Sequence, residues 1–368
     1  MTATETVLEH PRVSVIVPAR NEEACLATCL ESLGAQRGVD FEILVVDDHS
    51  TDRTHEIAAS FAHARANVRV IEADPLPAGW TGKNNAVATG VRHAEGDWFL
   101  FTDADTDHLP GSLANALKEA REHGADLLSY SPEQIAVTFW EMATLPVVFA
   151  ELARQYPPSK VSDPKFPGAA ANGQYILIKR DAYEAVGGHA ALAQEILEDV
   201  ALARAVKRSG RKIRFRYAAD SVRTRMYRNY SQLREGWTKN LALLFPNPGW
   251  LAWKTLLLWG IPWGLLLWAV FTLLGSVFGG LASHWWWSVA ACLGFSVLVG
   301  RLRRANFDLA MESLGAIFGM PMFAYLLLRS KRAHTRGNVP WKGRTYNGDD
   351  HEMKKATNPI PTTAGRLS

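Results

Sequence analysis

Three cysteines in 368 residues cannot build a disulfide framework. With Cys25 and Cys29 four apart and Cys292 inside an apolar run, they cannot form a four-ligand zinc site unaided either. A reducing compartment is the natural reading. A surplus of either charge is equally absent: 40 Lys and Arg stand against 37 Asp and Glu, so composition gives no support for a nucleic-acid partner. No Gly-x-Gly-x-x-Gly follows the first β-branched run, which argues against a dinucleotide oxidoreductase. Met1 to Pro11 is polar, and Val13 to Val17 is too brief for the apolar core of a secretory signal, so the N-terminus is expected in the cytosol. No internal repeat is visible.

What the chain has is length for two or three domain-sized units and two unlike parts. The mean hydropathy of -0.08 reads as soluble, yet most of the 13 Trp fall after residue 235, so the average conceals a membrane region. From residue 12 to about Tyr217, short β-branched runs alternate with helical stretches, as parallel strands joined by crossover helices do. The strands are expected at Val13 to Val17, Glu42 to Val46, Val68 to Glu72, Trp98 to Thr102, Asp126 to Tyr130 and Tyr175 to Lys179. The helices are expected at Glu22 to Leu33, Thr51 to Ala62, Lys83 to Ala94 and Ser112 to Glu122. The result is an α/β, Rossmann-like, mostly parallel domain over residues 12–240. Ile135 to Tyr156 carries a wide apolar face that Pro146 should kink or divide; it is either a core helix or one lying in a membrane interface.

Beyond Pro246, Thr255 to Leu274 runs about 20 residues without a charge, the length of a membrane-crossing helix. Leu281 to Gly300 is a second such run, opened by Trp285, Trp286 and Trp287 as an aromatic belt would be. Lys239 and Lys254 precede the first run and Arg301, Arg303 and Arg304 follow the second, so both flanks are expected in the cytosol. Ser313 to Leu328 is shorter, contains Gly315, Gly319 and Pro321, and is either spanning or re-entrant. The membrane region covers residues 251–328 and a basic cytosolic tail follows over 329–368, polar from Asn347 onward.

Chemistry concentrates at the carboxyl ends of the expected strands, where open α/β sheets bind ligands. Asp103 and Asp105 follow one strand and can hold a hard divalent cation through oxygen; two solvated loop aspartates or helix capping are the plain alternative. Pro18, Ala19, Arg20, Asn21 and Glu22 follow another strand, and Asp47 and Asp48 a third. Those two carboxylates can accept hydrogen bonds from a ribose or a base N–H, while Ser50 or Thr51 can cap the next helix. Gly168 to Gln174 is a small-residue stretch that lets backbone approach a ligand. Gly187, Gly188 and His189 are either a turn or a substrate contact. Glu198 and Asp199 open a helix, and a positioned carboxylate there can take a proton from an attacking hydroxyl.

Together these residues resemble inverting, family-2 glycosyltransferases of the GT-A fold. Val-Pro-Ala-Arg-Asn-Glu at 17 to 22, Val-Val-Asp-Asp-His-Ser-Thr-Asp at 45 to 52, Gly-Lys-Asn-Asn-Ala at 82 to 86 and Thr-Asp-Ala-Asp at 102 to 105 occur in the family's order. The resemblance implies that Pro18, Ala19, Glu22 and Asp48 line a uridine pocket, joined on the donor side by Arg20 and Asp47. It implies that Lys83 and Asn84 help hold the nucleotide, that Asp103 meets ribose or donor sugar, and that Asp105 ligates Mg or Mn. Lys83 as a solvated residue at a helix start is the bland alternative. Asn172, Gly173, Gln174, Glu198 and Trp237 fall on the acceptor side, and Asp199 is implied as the general base. Gln232-Leu233-Arg234-Glu235-Gly236-Trp237 is similar to the Gln-x-x-Arg-Trp element of membrane members, with two residues between Arg and Trp rather than none. Arg234 could neutralise a leaving diphosphate; Arg223, Arg225 and Arg228 add positive charge, much of it suited to anionic headgroups.

Gly-Trp-Thr-Gly-Lys at 79 to 83, the C-terminal runs and Val-Pro-Trp-Lys-Gly-Arg-Thr-Tyr at 339 to 346 narrow the resemblance to membrane enzymes associated with hopanoid or carotenoid lipids. If that tail folds over the nucleotide, Lys342 and Arg344 must be cytosolic. The implied reaction is hexosyl transfer from a UDP-sugar to a lipid or other amphiphilic acceptor at the cytosolic face of the cytoplasmic (inner) membrane. Three rivals stand beside it: a polyprenyl-phosphate glycosyltransferase, a processive polysaccharide synthase, and a membrane scaffold that binds nucleotide sugar without turnover.

Overall fold

The computed structural model describes residues 12–279, 285–302, 312–341 and 344–346. Its centre is a seven-stranded sheet built from β1 (Val13–Ala19), β2 (Phe41–Asp47), β3 (Val68–Glu72), β4 (Trp98–Phe101), β6 (Leu127–Ser131), β8 (Ile176–Lys179) and β9 (Ile213–Tyr217), in the order β3-β2-β1-β4-β8-β6-β9. Successive side chains of a strand point to opposite faces, and the core divides accordingly. Val13, Val15, Val17, Ile43, Val45 and Leu100 face one layer; Ile16, Leu44, Val46, Phe99 and Phe101 face the other. The first layer is closed by α1 (Leu26–Gly34), α2 (Thr54–Ala64) and α4 (Ser112–Glu122). The second is closed by α3 (Gly82–His93), α7 (Arg180–Ala185) and α8 (Glu198–Arg208). Each fully buried Leu or Ile in these layers contributes roughly 1.5–3 kcal/mol.

Every strand and helix expected through Ser112 to Glu122 is present within a few residues. The sheet is mostly parallel, as expected, but β8 runs antiparallel to both β4 and β6. This reversal matters for the site. Phe101 pairs with Ile176, so the chain entering β8 arrives at the carboxyl edge of β4. A small second sheet of β5 (Thr106–His108), β7 (Glu133–Gln134) and β10 (Val222–Thr224) covers that edge.

A third core lies beyond the sheet, where α5 (Phe139–Gln155), α9 (Tyr230–Leu244) and α12 (Glu312–Thr335) pack together. The short α6 (Pro158–Val161) links α5 back to the body. Thr138 and Glu141 form a reciprocal capping box at the start of α5, and the helix runs through Pro146 undivided, its Pro buried among neighbours. The segment packs as a core helix over much of its length, with Leu145 and Val148 buried against α9 and α12, while Phe139 and Trp140 at its start are exposed.

The apolar C-terminal part forms α10 (Pro248–Gly279) and α11 (Trp286–Leu302); Leu281 to His284 of the second apolar run, and Arg303 and Arg304, lie outside the described residues. Pro248–Val277 is long and apolar enough to cross a membrane, and only 17% of its most apolar stretch is buried. The Ser313 to Leu328 run is part of one 24-residue helix that continues through Arg329, Lys331 and Arg332. Its end is tied to α9: Ser330 Oγ donates to the Thr238 carbonyl at 2.6 Å and accepts from the Ala242 N–H at 2.8 Å. The β11–β12 hairpin (Val339–Trp341, Arg344–Tyr346) follows, and β11 packs on α9. Lys342 and the chain from Asn347 onward lie outside the described residues.

Gly319 is where α12 meets α5 most closely, because a Cβ there would run into the Ala143 carbonyl. Gly319→Val should therefore force the helices apart and destabilise the folded protein by roughly 2 kcal/mol or more. Thermal unfolding in detergent checks this: a clear drop in Tm is expected, and an unchanged Tm would contradict the packing.

Candidate active site

Three loops at the carboxyl edge of the sheet open onto one cavity of about 560 Å³. After β1 and β2 the chain turns through Asn21 and His49, both at positive φ (54° and 53°), which Asn and His tolerate better than most residues. The two turns interlock: Asn21 Oδ1 accepts from the Thr51 N–H at 2.8 Å, and Ser50 Oγ accepts from the Asn21 N–H at 3.1 Å. Ser50 and Thr51 thus bind the neighbouring loop instead of capping α2, where Asp52 Oδ1 takes the Thr54 N–H at 3.0 Å. This arrangement brings Pro18, Ala19, Arg20, Glu22 and Asp48 to the cavity wall. Arg20 Nη1 donates to the Asp48 carbonyl at 2.6 Å.

After β4, the Asp103 to Asp105 loop is held from beneath by a buried hydroxyl and imidazole cluster. Thr102 Oγ1 donates to the Gln174 carbonyl at 2.8 Å and lies 3.0 Å from Thr106 Oγ1. Thr106 Oγ1 donates to the Asp103 carbonyl at 2.7 Å, and His108 Nε2 sits 3.1 Å from each hydroxyl. Burial drives the His108 pKa down to about 3, so the imidazole is neutral at physiological pH and serves as a strut. Thr224 Oγ1 of β10 donates to the Asp105 carbonyl at 3.1 Å.

Opposite, Glu198 and Asp199 open α8, and Lys83 opens α3. Lys83 Nζ lies 2.7 Å from Asp103 Oδ1 and 2.7 Å from Glu198 Oε1, so it is a half-buried bridge between two acids and not merely a solvated helix start. Burial opposes its charge, but Asp103 and Glu198 outweigh that and lift its pKa well above the ordinary lysine value. Glu198 moves the other way: burial resists its ionisation, yet the Lys83 and Lys239 charges bring its pKa down. Asp199 Oδ2 accepts from the Gly173 N–H at 2.9 Å and Oδ1 from the Val200 N–H at 2.8 Å. Even so, burial first and the Glu198 charge second push Asp199 up to about 6. Gly173 permits this approach, since a Cβ there would stand 3.0 Å from Lys83 Nζ and 3.5 Å from Asp199 Oδ2.

Most of the residues singled out from the sequence meet here. Pro18, Ala19, Arg20, Glu22, Asp48, Lys83, Asp103, Asp105, Asn172, Gly173, Gln174, Glu198, Asp199 and Trp237 all line the cavity. Asn84 does not: it is fully buried, and its amide donates to the carbonyls of Leu192, Ala193 and Glu195 at 2.6, 3.1 and 3.0 Å. It holds the loop before α8 in place. Asp47 also turns away, accepting from the Ser50 N–H at 3.1 Å with its other oxygen 3.1 Å from His55 Nδ1. His189 packs locally, 3.0 Å from the Tyr183 hydroxyl.

Arg234 is a further departure. Its guanidinium lies over the Tyr230 ring, 5.7 Å from the centroid, and the residues of α9 that line the cavity are Gln232, Glu235, Trp237, Lys239, Asn240 and Leu244. Spacings of three and four along a helix return to one face, so Gln232, Glu235 and Lys239 share a stripe that Arg234 misses. That spacing is the signal in the sequence for Lys239, which lies outside the Gln232 to Trp237 element. Arg225 and Arg228 line the cavity as well; Arg225 Nε pairs with the buried Glu141 at 3.0 Å, and Arg228 Nη2 donates to the Ala24 carbonyl at 3.0 Å. Arg223 points elsewhere and pairs with Glu133 at 2.8 Å.

The far wall is apolar. Phe149 and Leu152 of α5, Tyr156 just past its end, Trp237 and Leu244 of α9, and Met226 line it; Trp237 stacks edge-on with Phe149 at 6.2 Å and with Tyr227 at 5.9 Å between centroids. One chamber therefore carries acids and cations at the sheet edge and hydrocarbon toward the C-terminal helices.

Among the described residues no cluster of three or more His, Cys, Asp or Glu could by itself enclose a metal ion. Asp103 and Asp105 offer hard oxygen donors on one side only, a donor set that suits a Mg or Mn ion whose other ligands come from a diphosphate and water.

Residues 14–187 match the family profile described as Glycosyl transferase family 2. The chain is 28% identical over 355 residues to 4,4'-diaponeurosporenoate glycosyltransferase of Staphylococcus aureus strain USA300, covering 92% of this chain and 89% of the relative. It is 30% identical over 236 residues to the protein of the same name from strain MRSA252, covering 63% of this chain and 61% of that one. Among solved structures, the mannosyltransferase PcManGT from Pyrobaculum calidifontis, in complex with GDP-Man and Mn2+, is similar with a TM-score of 0.54 at 19% identity, over 89% of this chain and 87% of the other. The sheet order, the loops gathered at its carboxyl edge and these likenesses lead to one conclusion: the chain carries a family 2 glycosyltransferase domain of GT-A fold and is a glycosyltransferase.

Proposed function

We propose that the protein transfers a sugar, with inversion, from a UDP-sugar to a long apolar acceptor that it meets at a membrane. The observation that carries this reading is the two-sided cavity. Its polar end holds Asp48, Arg20, Glu22, Lys83, Asp103 and Asp105, and its other end is walled by Phe149, Leu152, Met226 and Leu244, with Asp199 between. A nucleotide suits the first end: the Asp48 carboxylate can accept from a base or ribose, and Lys83 offers charge toward phosphates. Asp105, with Asp103 beside it, would hold a divalent cation, which when bound offsets charge on the diphosphate.

Asp199 is the base in this reading. It is fixed by two backbone N–H groups and takes the proton from an attacking O–H as the oxygen bonds to the anomeric carbon and the bond to phosphate breaks. The Staphylococcus aureus relatives are named for 4,4'-diaponeurosporenoate, so a carotenoid-type lipid is the acceptor class we favour. The alternative of a processive synthase loses its main support, since the Arg of its motif corresponds to Arg234, which does not line the cavity.

The membrane reading rests on α10, most of whose apolar surface is exposed; a core helix of that length would be buried. Trp250, Trp253, Trp268 and Trp285 are likewise exposed. Residues 12–240 form the catalytic domain, residues 251–328 the anchor, and the basic flanks set the domain on the cytosolic face of the cytoplasmic membrane.

Two outcomes follow for purified protein in detergent, read as UDP release from a UDP-sugar with water as acceptor. Asp199→Asn should slow release by about 10²–10⁴-fold. Because the Asp199 pKa is raised to about 6, its basic form is present above that pH and is lost below it. Release by the wild type should accordingly fall as pH drops through 6 and level off above 7, whereas a flat profile between pH 5 and 8 would remove Asp199 from the step. Separately, chelator and Asp105→Ala should each lower release by roughly 10²-fold; undiminished release in both conditions contradicts the metal assignment.

A further inference from the structure

We propose that the phenol of Tyr227 is a further substrate-binding group, which donates its hydrogen to an oxygen of the nucleotide's diphosphate. The proposal rests on the donor reading above and adds to it a residue outside the matched stretch 14–187.

Between β10 and α9 the chain runs through Arg225, Met226, Tyr227 and Arg228, and all four line the cavity. At one end of this segment Thr224 Oγ1 donates to the Asp105 carbonyl at 3.1 Å. At the other, Arg228 Nη2 donates at 3.0 Å to the carbonyl of Ala24, in the loop that follows β1. The segment therefore crosses from the aspartate pair to the wall that carries Pro18, Arg20 and Glu22. A nucleotide with its base at that wall and its cation on Asp105 lays its phosphates along the same path.

Of the polar groups on the segment, one has no partner in the protein. Arg225 turns the Nε and Nη2 edge of its guanidinium to Glu141, at 3.0 and 3.2 Å, and Arg228 holds Ala24. Tyr227 is only 3% exposed, yet among the described residues no group pairs with its hydroxyl. A buried tyrosine ordinarily finds a partner for its O–H, because an unmet donor forfeits the hydrogen bond that water would supply. Burial first and the Asp105 carboxylate second hold the Tyr227 pKa far above the usual tyrosine value, so the group is a neutral O–H donor at physiological pH. The acid whose charge it feels belongs to the proposed cation site and not to the base.

The seat of the ring is built by α9. A Cβ on Gly236 would stand 2.5 Å from both Tyr227 Oη and Cε1, and the Trp237 ring closes on it at 5.9 Å between centroids. Gly236 is one of the two residues that part Arg234 from Trp237. The altered spacing of that element thus has a structural counterpart, since a side chain at 236 would exclude the phenol.

The test uses full-length protein in detergent with Mn present, and titration calorimetry with UDP, uridine and pyrophosphate as probes. Tyr227→Phe keeps the ring and removes only the hydroxyl, so its Tm should match the wild type. Its affinities for UDP and for pyrophosphate should each fall by about ten-fold, while its affinity for uridine changes less than about two-fold. The proposal is overturned if Tyr227→Phe binds UDP as the wild type does, which would leave the phenol to the acceptor. It is also overturned if UDP and uridine weaken by the same factor, which would give the hydroxyl to the nucleoside or to folding. A wild type that binds pyrophosphate but neither UDP nor uridine would sink the donor reading above, and the pyrophosphate comparison would still decide Tyr227; one that binds none of the three overturns both.

Discussion

The Lys83 ammonium between Asp103 and Glu198 is the interaction on which the rest of the site depends. Both distances are 2.7 Å, and the three residues come from the start of α3, the end of β4 and the start of α8. Asp103, Glu198 and Asp199 would repel one another in a partly dry cavity without a cation among them. Chain topology makes the meeting possible. The antiparallel β8 delivers Asn172 to Gln174 to the same edge that carries the aspartate loop, and Thr102 fastens the two by its bond to the Gln174 carbonyl. Gly173 then lets backbone slide beside the lysine, donating its N–H to Asp199. Sheet register, one glycine and one lysine thus set how far the acids stand from each other.

From that cluster the cavity extends toward α5, α9 and α12, whose mutual packing joins the catalytic end to the apolar helices. Glu151 of α5 shows how tightly: it pairs with Arg154 and, at 2.6 Å, with Arg301 at the end of α11. Buried ion pairs of this kind gain little stability over apolar packing but restrict the arrangements that helices can take. The proposed transfer to an apolar acceptor needs such a fixed relation between the apolar helices and the site, because the acceptor's polar end would have to reach the anomeric carbon while its chain stays in an apolar surround.

The sequence made much of this legible, for physical reasons that can be named. Val13 to Val17 and Glu42 to Val46 are short β-branched runs, apolar toward both faces as buried parallel strands are, and they alternate with helical stretches, so strands and flanking helices were readable. The acidic groups at Asp48, Asp103 and Asp105 could be placed near one another because strand ends of a parallel sheet gather at one edge, whereas Glu198 and Asp199, which open a helix, were tied to them by the family resemblance. Other features left no such trace. Strands of two or three residues, such as Glu133–Gln134 and Val222–Thr224, are too short to show a period. Asn84 and Asp47 sit within motifs that face the ligand, yet one residue of rotation on a helix, or one of alternation on a strand, turns them inward. On α9, Arg234 falls off the stripe of Gln232, Glu235 and Lys239 that lines the cavity, so a motif with altered spacing misleads where helical geometry does not.

The most direct measurement of the central claim, that one nucleotide sugar occupies the polar end of this chamber, uses the chain's own thiols. Cys25 is half-buried and lines the cavity, its Sγ 3.3 Å from Glu22 Oε2. Cys29 is buried, its pKa pushed up to about 12 chiefly by burial, and Cys292 is exposed far along the chain. Alkylation followed by mass spectrometry, with and without UDP and Mn, should show Cys25 protected while Cys292 reacts at an unchanged rate. Equal Cys25 labelling at UDP concentrations that saturate the protein would place the nucleotide elsewhere and contradict the account.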